Sequence, residues 1–574
     1  MTLISELLGV PPPTDPARLP AFKPGKQNDR WNASRLAAEV GEDMIFVVGK
    51  GWGLWDGGRF NFLDGAVRAF LISEKLQGLV EADAAAAWAE EYSEFEIRHR
   101  LAEELEKSRP GFRTLEDAQQ ALREAKALAL GKHATTCGNV DKMEKALKIM
   151  QGRLRVPVAD LDADPWSLTL PNGRLDLRAA AQADGFTADM TRAEVAAIRA
   201  EWLKPHDRSL YATKSAGVEF DPGAECPEWR AFLELVLPDQ AIRDCFQRSM
   251  GAVLFGKNEP TCAFLFRGPG GNGKSTAVNA IANVLGESSG YAVPCKIELF
   301  LAMQNESAGK ATPEEIDIPG ARVLLASESS ERDELSGKKI KAMTGGDPRP
   351  VRALNQAQFY YRPSAFPILS FNRTPRIKDE DEGTRRRLVF FPFEVNLREL
   401  PEGKRRSNVE VEAALKREGP GILNWMLDGW REYRARADAG IGAPPGIDPP
   451  AEMRELKDSL MEHADPLGEF IKDCCRSDPG SAEGIRTSAF FRVYAEWCDM
   501  TGSALYGKQT VTRIMQEKGI RQKKGGGGIR FWSGLRWQDT DNMAALLHQC
   551  GFGPAPVGGP PPAALADIDP GAPF

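Results

Sequence analysis

Residues 264–276, Phe264-Leu265-Phe266-Arg267-Gly268-Pro269-Gly270-Gly271-Asn272-Gly273-Lys274-Ser275-Thr276, decide how the rest of the chain is read. Four residues of apolar strand run into a glycine-rich loop of the pattern G-x-x-x-x-G-K-S. The residue types fit phosphate binding. Gly268, Gly270, Gly271 and Gly273, with Asn272 among them, let successive backbone N–H groups turn toward phosphate oxygens. Lys274 reaches the β- and γ-phosphates, and Ser275 ligates Mg²⁺, with Thr276 beside it. These eight residues are the expected contacts of ATP and Mg²⁺. Ala277–Leu285 reads as a helix whose positive N-terminal end faces the same anion. A strand before the loop and a helix after it separate a phosphate loop from an ordinary glycine turn.

Three later stretches complete the expectation of an α/β P-loop ATPase core. Arg322–Glu328 is a buried-strand run ending in an acid, so the Glu328 carboxylate is placed to organise Mg²⁺ and the attacking water. Phe366–Asn372 is another apolar run, and its terminal amide, Asn372, is placed to sense the γ-phosphate. Arg385-Arg386-Arg387 leads into Leu388–Phe393, so Arg386 or Arg387 is expected to point at a neighbouring subunit's nucleotide. Between the acid and the amide, Lys338, Lys339, Lys341 and Arg352 gather around a Gly345-Gly346 turn.

The order of these motifs resembles that of superfamily 3 helicases, in the phage/plasmid primase and poxvirus primase-helicase group. The resemblance is carried by GPGGNGKST (268–276), LLASE (324–328), KKIKAMTGGDPRPVR (338–352), ILSFN (368–372) and RRLVFFPF (386–393). It extends more weakly to LDADPW (161–166), NGRLDLR (172–178) and CPEWRAFL (226–233). It implies an AAA+-like core and a homo-oligomer, a hexameric ring that moves 3′ to 5′ along one DNA strand in the replication of a phage or plasmid-like element. It makes Lys274 and Ser275 nucleotide contacts, Glu328 the metal and water residue, Asn372 the sensor and Arg386 or Arg387 the finger in trans. It also makes Lys338–Arg352 a DNA-facing hairpin. Partners implied are single-stranded and forked DNA, with a separate primase or polymerase. Many relatives carry a primase domain ahead of this region. Here about 200 residues precede the helices before the loop, without a polymerase carboxylate pattern or zinc-spaced cysteines, so a helicase portion standing alone is expected. Two rivals are a primase-helicase with an unrecognised primase and an origin-binding initiator that uses ATP without processive unwinding.

The remaining sequence fills in the organisation. The chain has 574 residues and a formal net charge of −7, so nucleic-acid contact must come from local basic patches. Nine scattered cysteines without a C-x-x-C pair, no signal-peptide pattern and no apolar run of membrane-spanning length lead to the expectation of a cytoplasmic protein. Residues 1–30, rich in proline, read as a flexible leader, and 31–221 as an α+β domain. Within the latter we expect a helix at Ala33–Val40 and a hairpin from Met44, with Trp52 and Trp55 packing in a core rather than stacking on a base. Thr114, three residues before Asp117, marks a helix start. The acids of 160–164 suit a turn better than a metal site, and Asn172-Gly173 a two-residue hairpin. A helical collar is expected at 222–258, the ATPase at 259–440, a Gly/Pro linker at 441–460 and a disordered tail at 541–574. Residues 461–540 read as a winged helix, with Arg513, Lys523, Lys524 and Arg530 on DNA.

Overall fold

The computed structural model describes residues 27–107, 109–182, 190–302, 315–327, 334–352, 358–372, 375–378, 381–401, 406–463, 466–478, 484–501, 505–525 and 528–552. The chain forms two compact units that divide between Met453 and Arg454. Most of the expected leader and the tail beyond 552 lie outside the described residues.

The first helix starts four residues earlier than the apolar pattern suggests, at Asp29, because Asn28 caps it by accepting from Trp31 N at 3.0 Å. Strands Met44–Val47, Gly51–Trp55 and Phe60–Asn61 form an antiparallel meander in which Phe46 faces Trp52. Trp52 and Trp55 are buried, so core packing is their role. Thr114 caps Leu115–Cys137 as expected, accepting from Asp117 N at 3.1 Å. The acids before Pro165 shape turns. Asp162 accepts from the backbone and hydroxyl of Thr213, and Asp164 from Trp166 N. Strands Ser167–Leu170 and Gly173–Asp176 pair around Pro171-Asn172, one residue earlier than expected. Asn172 leaves the ladder because its amide bonds Phe220 in both directions.

The centre of this unit is a five-stranded parallel sheet. Its strands are β1 (Ala263–Arg267), β2 (Ala292–Pro294), β3 (Val323–Ser327), β4 (Phe366–Phe371) and β5 (Leu388–Pro392), in spatial order β5-β1-β4-β3-β2. All five are nearly continuous apolar runs, as strands covered on both faces must be. The covering helices are α1 (Pro227–Val236), α2 (Gln240–Ala252), α3 (Lys274–Leu285), α4 (Gly337–Thr344), α5 (Glu382–Arg385), α6 (Asn408–Arg417) and α7 (Gly419–Asp438). The helices expected to form a collar, α1 and α2, share one core with the sheet. Phe246 of α2 sits 5.7 Å from the Phe266 ring and 5.3 Å from Phe391, and Trp229 of α1 meets Trp425 of α7 edge-on. Burial of each such ring contributes roughly 1.5–3 kcal/mol.

The start of the expected linker is not a free connector. Buried Arg248 of α2 donates to Ile447 O and Asp448 O, Arg436 pairs with Asp448 at 2.8 Å, and Ile447 is fully buried. Gly/Pro composition cannot announce an anchor supplied 200 residues upstream.

In the second unit, helices Pro466–Cys474, Thr487–Thr501 and Lys508–Glu517 pack on a three-stranded sheet in which Arg530–Ser533 lies between Gly484–Arg486 and Gln522–Lys524. Leu467, Phe470, Phe490, Val493, Tyr494, Val511, Met515 and Trp532 make its core. The first residues of the expected tail form a helix, Asp541–Gln549, capped by Thr540 and buried through Met543 and Leu546.

Candidate nucleotide site

β1 and β4 are neighbours, yet a long excursion through β2 and β3 separates them in sequence. Their carboxyl ends therefore flank a topological switch point, where open α/β sheets bind ligands. The glycine-rich loop leaves β1 there. Gly270, Gly271 and Gly273 take φ of +93°, +65° and +83°, values an L side chain resists. Gly268 has no room for more: a Cβ would lie 2.0 Å from Phe393 O and from Asn272 Nδ2. Asn272 is buried and its Nδ2 donates to Phe393 O at 2.6 Å, so its side chain braces the loop to the end of β5 and only its backbone is left to face a phosphate. Gly273 ends the loop against Val236 and Phe232 of α1.

Lys274 opens α3. Its buried ammonium donates to Gly268 O at 2.5 Å, Asn272 Oδ1 at 3.2 Å and Asn372 Oδ1 at 3.3 Å. The structure thus brings together the lysine and the amide that the sequence placed 98 residues apart. Ser275, the expected metal ligand, is exposed at the first turn of α3, while Thr276 is buried. Strand register puts Ser327 of β3, Ser370 of β4 and Phe266 of β1 at one level. Glu328, the residue after Ser327, lies outside the described residues. Beyond β5, Leu397 N donates to Gly271 O at 2.9 Å, closing a wall that no motif announced. Between this wall, α1 and α6, an apolar cavity of about 220 Å³ opens beside Thr276, lined by Phe232, Leu235, Leu397, Val411 and Leu415.

Arg386 and Arg387 sit at the opposite end of the sheet. Leu388 pairs with Ala263 at the start of β1, and Gly268 is five residues further, about 17 Å at ~3.3 Å per residue. Arg386 is exposed. Arg387 is half-buried, and among the described residues its buried Nε and Nη1 have no hydrogen-bond partner. Burial first, then Arg386 next door, pushes the Arg387 pKa down, with Asp381 opposing.

The basic segment 338–352 is not the hairpin expected around Gly345-Gly346. Ser336 caps α4, whose Ile340, Met343 and Thr344 are buried, and the glycines end that helix. The hairpin is formed instead by Arg349–Val351 and Phe359–Tyr361. Lys341 is tied to Asp381 at 2.7 Å, and Lys339 donates to Glu298 O at 3.2 Å. Lys341, followed by the Thr384 side chain and backbone, holds the Asp381 carboxyl down to about 2. Lys338 and Arg352 bracket the segment, Lys338 in α4 and exposed Arg352 directly after the first hairpin strand.

In the second unit Arg513, Lys523, Lys524 and Arg530 are all exposed. Lys524 and Arg530 stand directly opposite on paired strands, a like-charge arrangement that an anionic partner would relieve. Among the described residues no cluster of acids, histidines and cysteines could hold a metal, and no helix is long and apolar enough to cross a membrane.

Residues 33–238, which end just before the sheet, match the family described as D5 N terminal like. Over 351 residues the chain is 25% identical to "Putative helicase L207/L206" of Acanthamoeba polyphaga mimivirus, covering 59% of this chain and 33% of that protein. The chain thus spans about a third of the length of this curated relative. Among solved structures, the A-form apo structure of the NrS-1 C-terminal region aligns at 13% identity and a TM-score of 0.35, covering 58% of this chain and 80% of that one. A second apo structure of the same region, residues 305–718, aligns at 13% and 0.34, covering 55% and 76%. The resemblance carried by the motifs is upheld: the chain has a D5 N-terminal-like region and is homologous to a viral protein named as a helicase.

Proposed function

We propose that this chain is an ATP-driven DNA helicase acting in the replication of a phage or plasmid-like element, with its nucleotide site at the carboxyl ends of β1 and β4. The observation that carries the reading is the Lys274–Asn372 contact at 3.3 Å inside a glycine loop whose dihedrals suit a phosphate cradle. ATP would lie with its phosphates on the loop N–H groups and Lys274, its base in the apolar cavity beside Thr276. The exposed Ser275 hydroxyl at the first turn of α3 fits Mg²⁺ as well. Ser275 and Glu328 would hold it, and it would shield phosphate charge during transfer. Asn372 shares its Oδ1 with Lys274, so a γ-phosphate that draws the ammonium away frees the amide to orient water.

The reading further comprises a ring moving 3′ to 5′ on single-stranded or forked DNA, with Arg387 or Arg386 completing the next subunit's site. Residues 461–540 would act as a winged helix whose exposed Arg513, Lys523, Lys524 and Arg530 grip backbone phosphates. The relative's name as a helicase supports unwinding, and the α1–α2 helices would form the ring-side collar.

The deciding experiment compares ATP hydrolysis and strand displacement on 3′- and 5′-tailed forks for the wild type and Lys274→Ala. Wild type should unwind the 3′-tailed fork with ATP and Mg²⁺, and the variant should do neither. Hydrolysis that survives Lys274→Ala refutes the site. Hydrolysis without displacement on either fork would favour the initiator.

A further inference from the structure

We propose that Arg398, in the turn after β5, is a phosphate-binding residue of the nucleotide site, supplied by the same subunit and directed at the α- and β-phosphates. This rests on the ATP reading above and adds a cation that none of the motifs assigns.

The turn is built and fixed to the phosphate loop. Asn396 Oδ1 accepts from Arg398 N at 3.1 Å, Asn396 Nδ2 donates to Glu399 at 2.6 Å, and Leu397 N donates to Gly271 O at 2.9 Å. The Arg398 side chain lies along Gly271. A Cβ on that glycine would be 3.0 Å from Arg398 Nε, 3.4 Å from Cδ and 3.5 Å from Cγ. The guanidinium is thus held at the loop residue whose neighbouring N–H groups cradle the α- and β-phosphates, rather than at the γ-phosphate end where Lys274 works.

Arg398 is exposed, and among the described residues its guanidinium makes no hydrogen bond or ion pair. The acids of its own turn are engaged elsewhere: Glu394 pairs with Arg267, and Glu399 accepts from Asn396. An arginine fork beside the backbone N–H groups of a glycine loop is a geometry that a diphosphate satisfies and water screens only in part.

The test measures ADP and ATP affinity, with Mg²⁺, for the wild type, Arg398→Ala, Arg398→Lys and Lys274→Ala, together with nucleotide-free melting temperatures. Arg398→Ala should weaken ADP and ATP by a similar factor, about 10-fold or more, as expected for charge-assisted hydrogen bonds lost from one side of an ion pair. Arg398→Lys should recover part of that loss, and neither variant should lower the nucleotide-free melting temperature. In steady state KM should rise by the same factor, with the smaller part of the effect in kcat, the mark of uniform binding. ADP affinity within twofold of wild type in Arg398→Ala overturns the proposal. So does a loss that Arg398→Lys leaves uncorrected while both variants melt early, because that is a structural role. A wild type that binds neither nucleotide sinks the ATP reading itself, whereas a wild type that binds and an Arg398→Ala that matches it sink only Arg398.

Discussion

Arg387 gives the sharpest test of how the site is completed. It lies at the amino end of β5, about 17 Å along the sheet from the start of its own phosphate loop, a gap an arginine side chain cannot cross. On the proposed reading, a direct role in turnover would therefore be played on another subunit's nucleotide. Its cost is visible: a half-buried guanidinium with two nitrogens that find no partner among the described residues, and a second arginine beside it. Replacing Arg387 by Ala removes that cost, so the melting temperature should hold or rise. Turnover should fall about 10³-fold or more, the scale of a lost arginine finger, equivalent to ~4 kcal/mol in the barrier. Arg387→Ala keeps a working phosphate loop and Lys274→Ala keeps a working finger. In an equal mixture of the two, a head-to-tail interface unites an intact loop with an intact finger about one time in four, whatever the ring size. The mixture should thus recover about a quarter of wild-type turnover. Both variants inactive alone and no recovery in rings verified to contain both would refute a shared site. Unchanged turnover in Arg387→Ala would pass the role to Arg386, testable in the same way.

Two further outcomes follow from the structure. Replacing Lys523, Lys524 and Arg530 by Ala should lower the log–log salt slope of duplex binding by about 0.9 per lost phosphate contact, ~2.7 for all three, and an unchanged slope would make this face a protein-docking surface. Lys214 is buried with its ammonium on Asp317 O, and burial, with Lys50 adding, pushes its pKa down to about 8 against the pull of Asp162 and Asp317. Between that value and its unfolded pKa near ~10.4 the unfolded chain binds more protons, so wild-type stability should rise with pH relative to Lys214→Met, by about 1–3 kcal/mol. Parallel stability profiles of the two proteins from pH 8 to 10 would show that burial does not perturb this lysine.

What the sequence disclosed is what short stretches encode. The loop at 268–276, the strand ending at Asn372, the cap at Thr114 and the basic strands around 522–530 each carry their signal within about ten residues. Most of the errors share one physical origin, a long-range partner. Gly345-Gly346 is a turn, and Gly346 does take φ +74°, but the same glycines end a helix or tip a hairpin, depending on what α4 packs against. Residues 441–450 read as linker because Arg248, which holds them, lies in α2. Asn172 leaves its hairpin for Phe220, and Asn272 turns from the ligand to Phe393, choices made by tertiary contacts. The helix at 541–549 is a different case. Its Thr540 cap and its Met543 and Leu546 spacing were present in the sequence, overshadowed by the proline-rich stretch that follows.

The correction at α4 changes how the proposed motor would work. Lys341 holds Asp381, Asp381 also accepts from Thr384 N at 2.8 Å, and this pair fixes the short helix α5 that leads into Arg386 and Arg387. A Cβ on Gly345 would lie 3.8 Å from Arg387 Nη2, and Gly346 O accepts from Arg362, the residue after the second hairpin strand, at 3.0 Å. The end of α4 therefore touches both Arg387 and the base of the hairpin. On the proposed reading, a neighbour's nucleotide that draws Arg387 outward pulls on the same turn that seats the hairpin, and DNA need not be gripped by Lys341 at all. On that reading the grip would fall to the hairpin strands Arg349–Val351 and Phe359–Tyr361, and Lys341 would serve as the strut that keeps finger and hairpin in one moving piece.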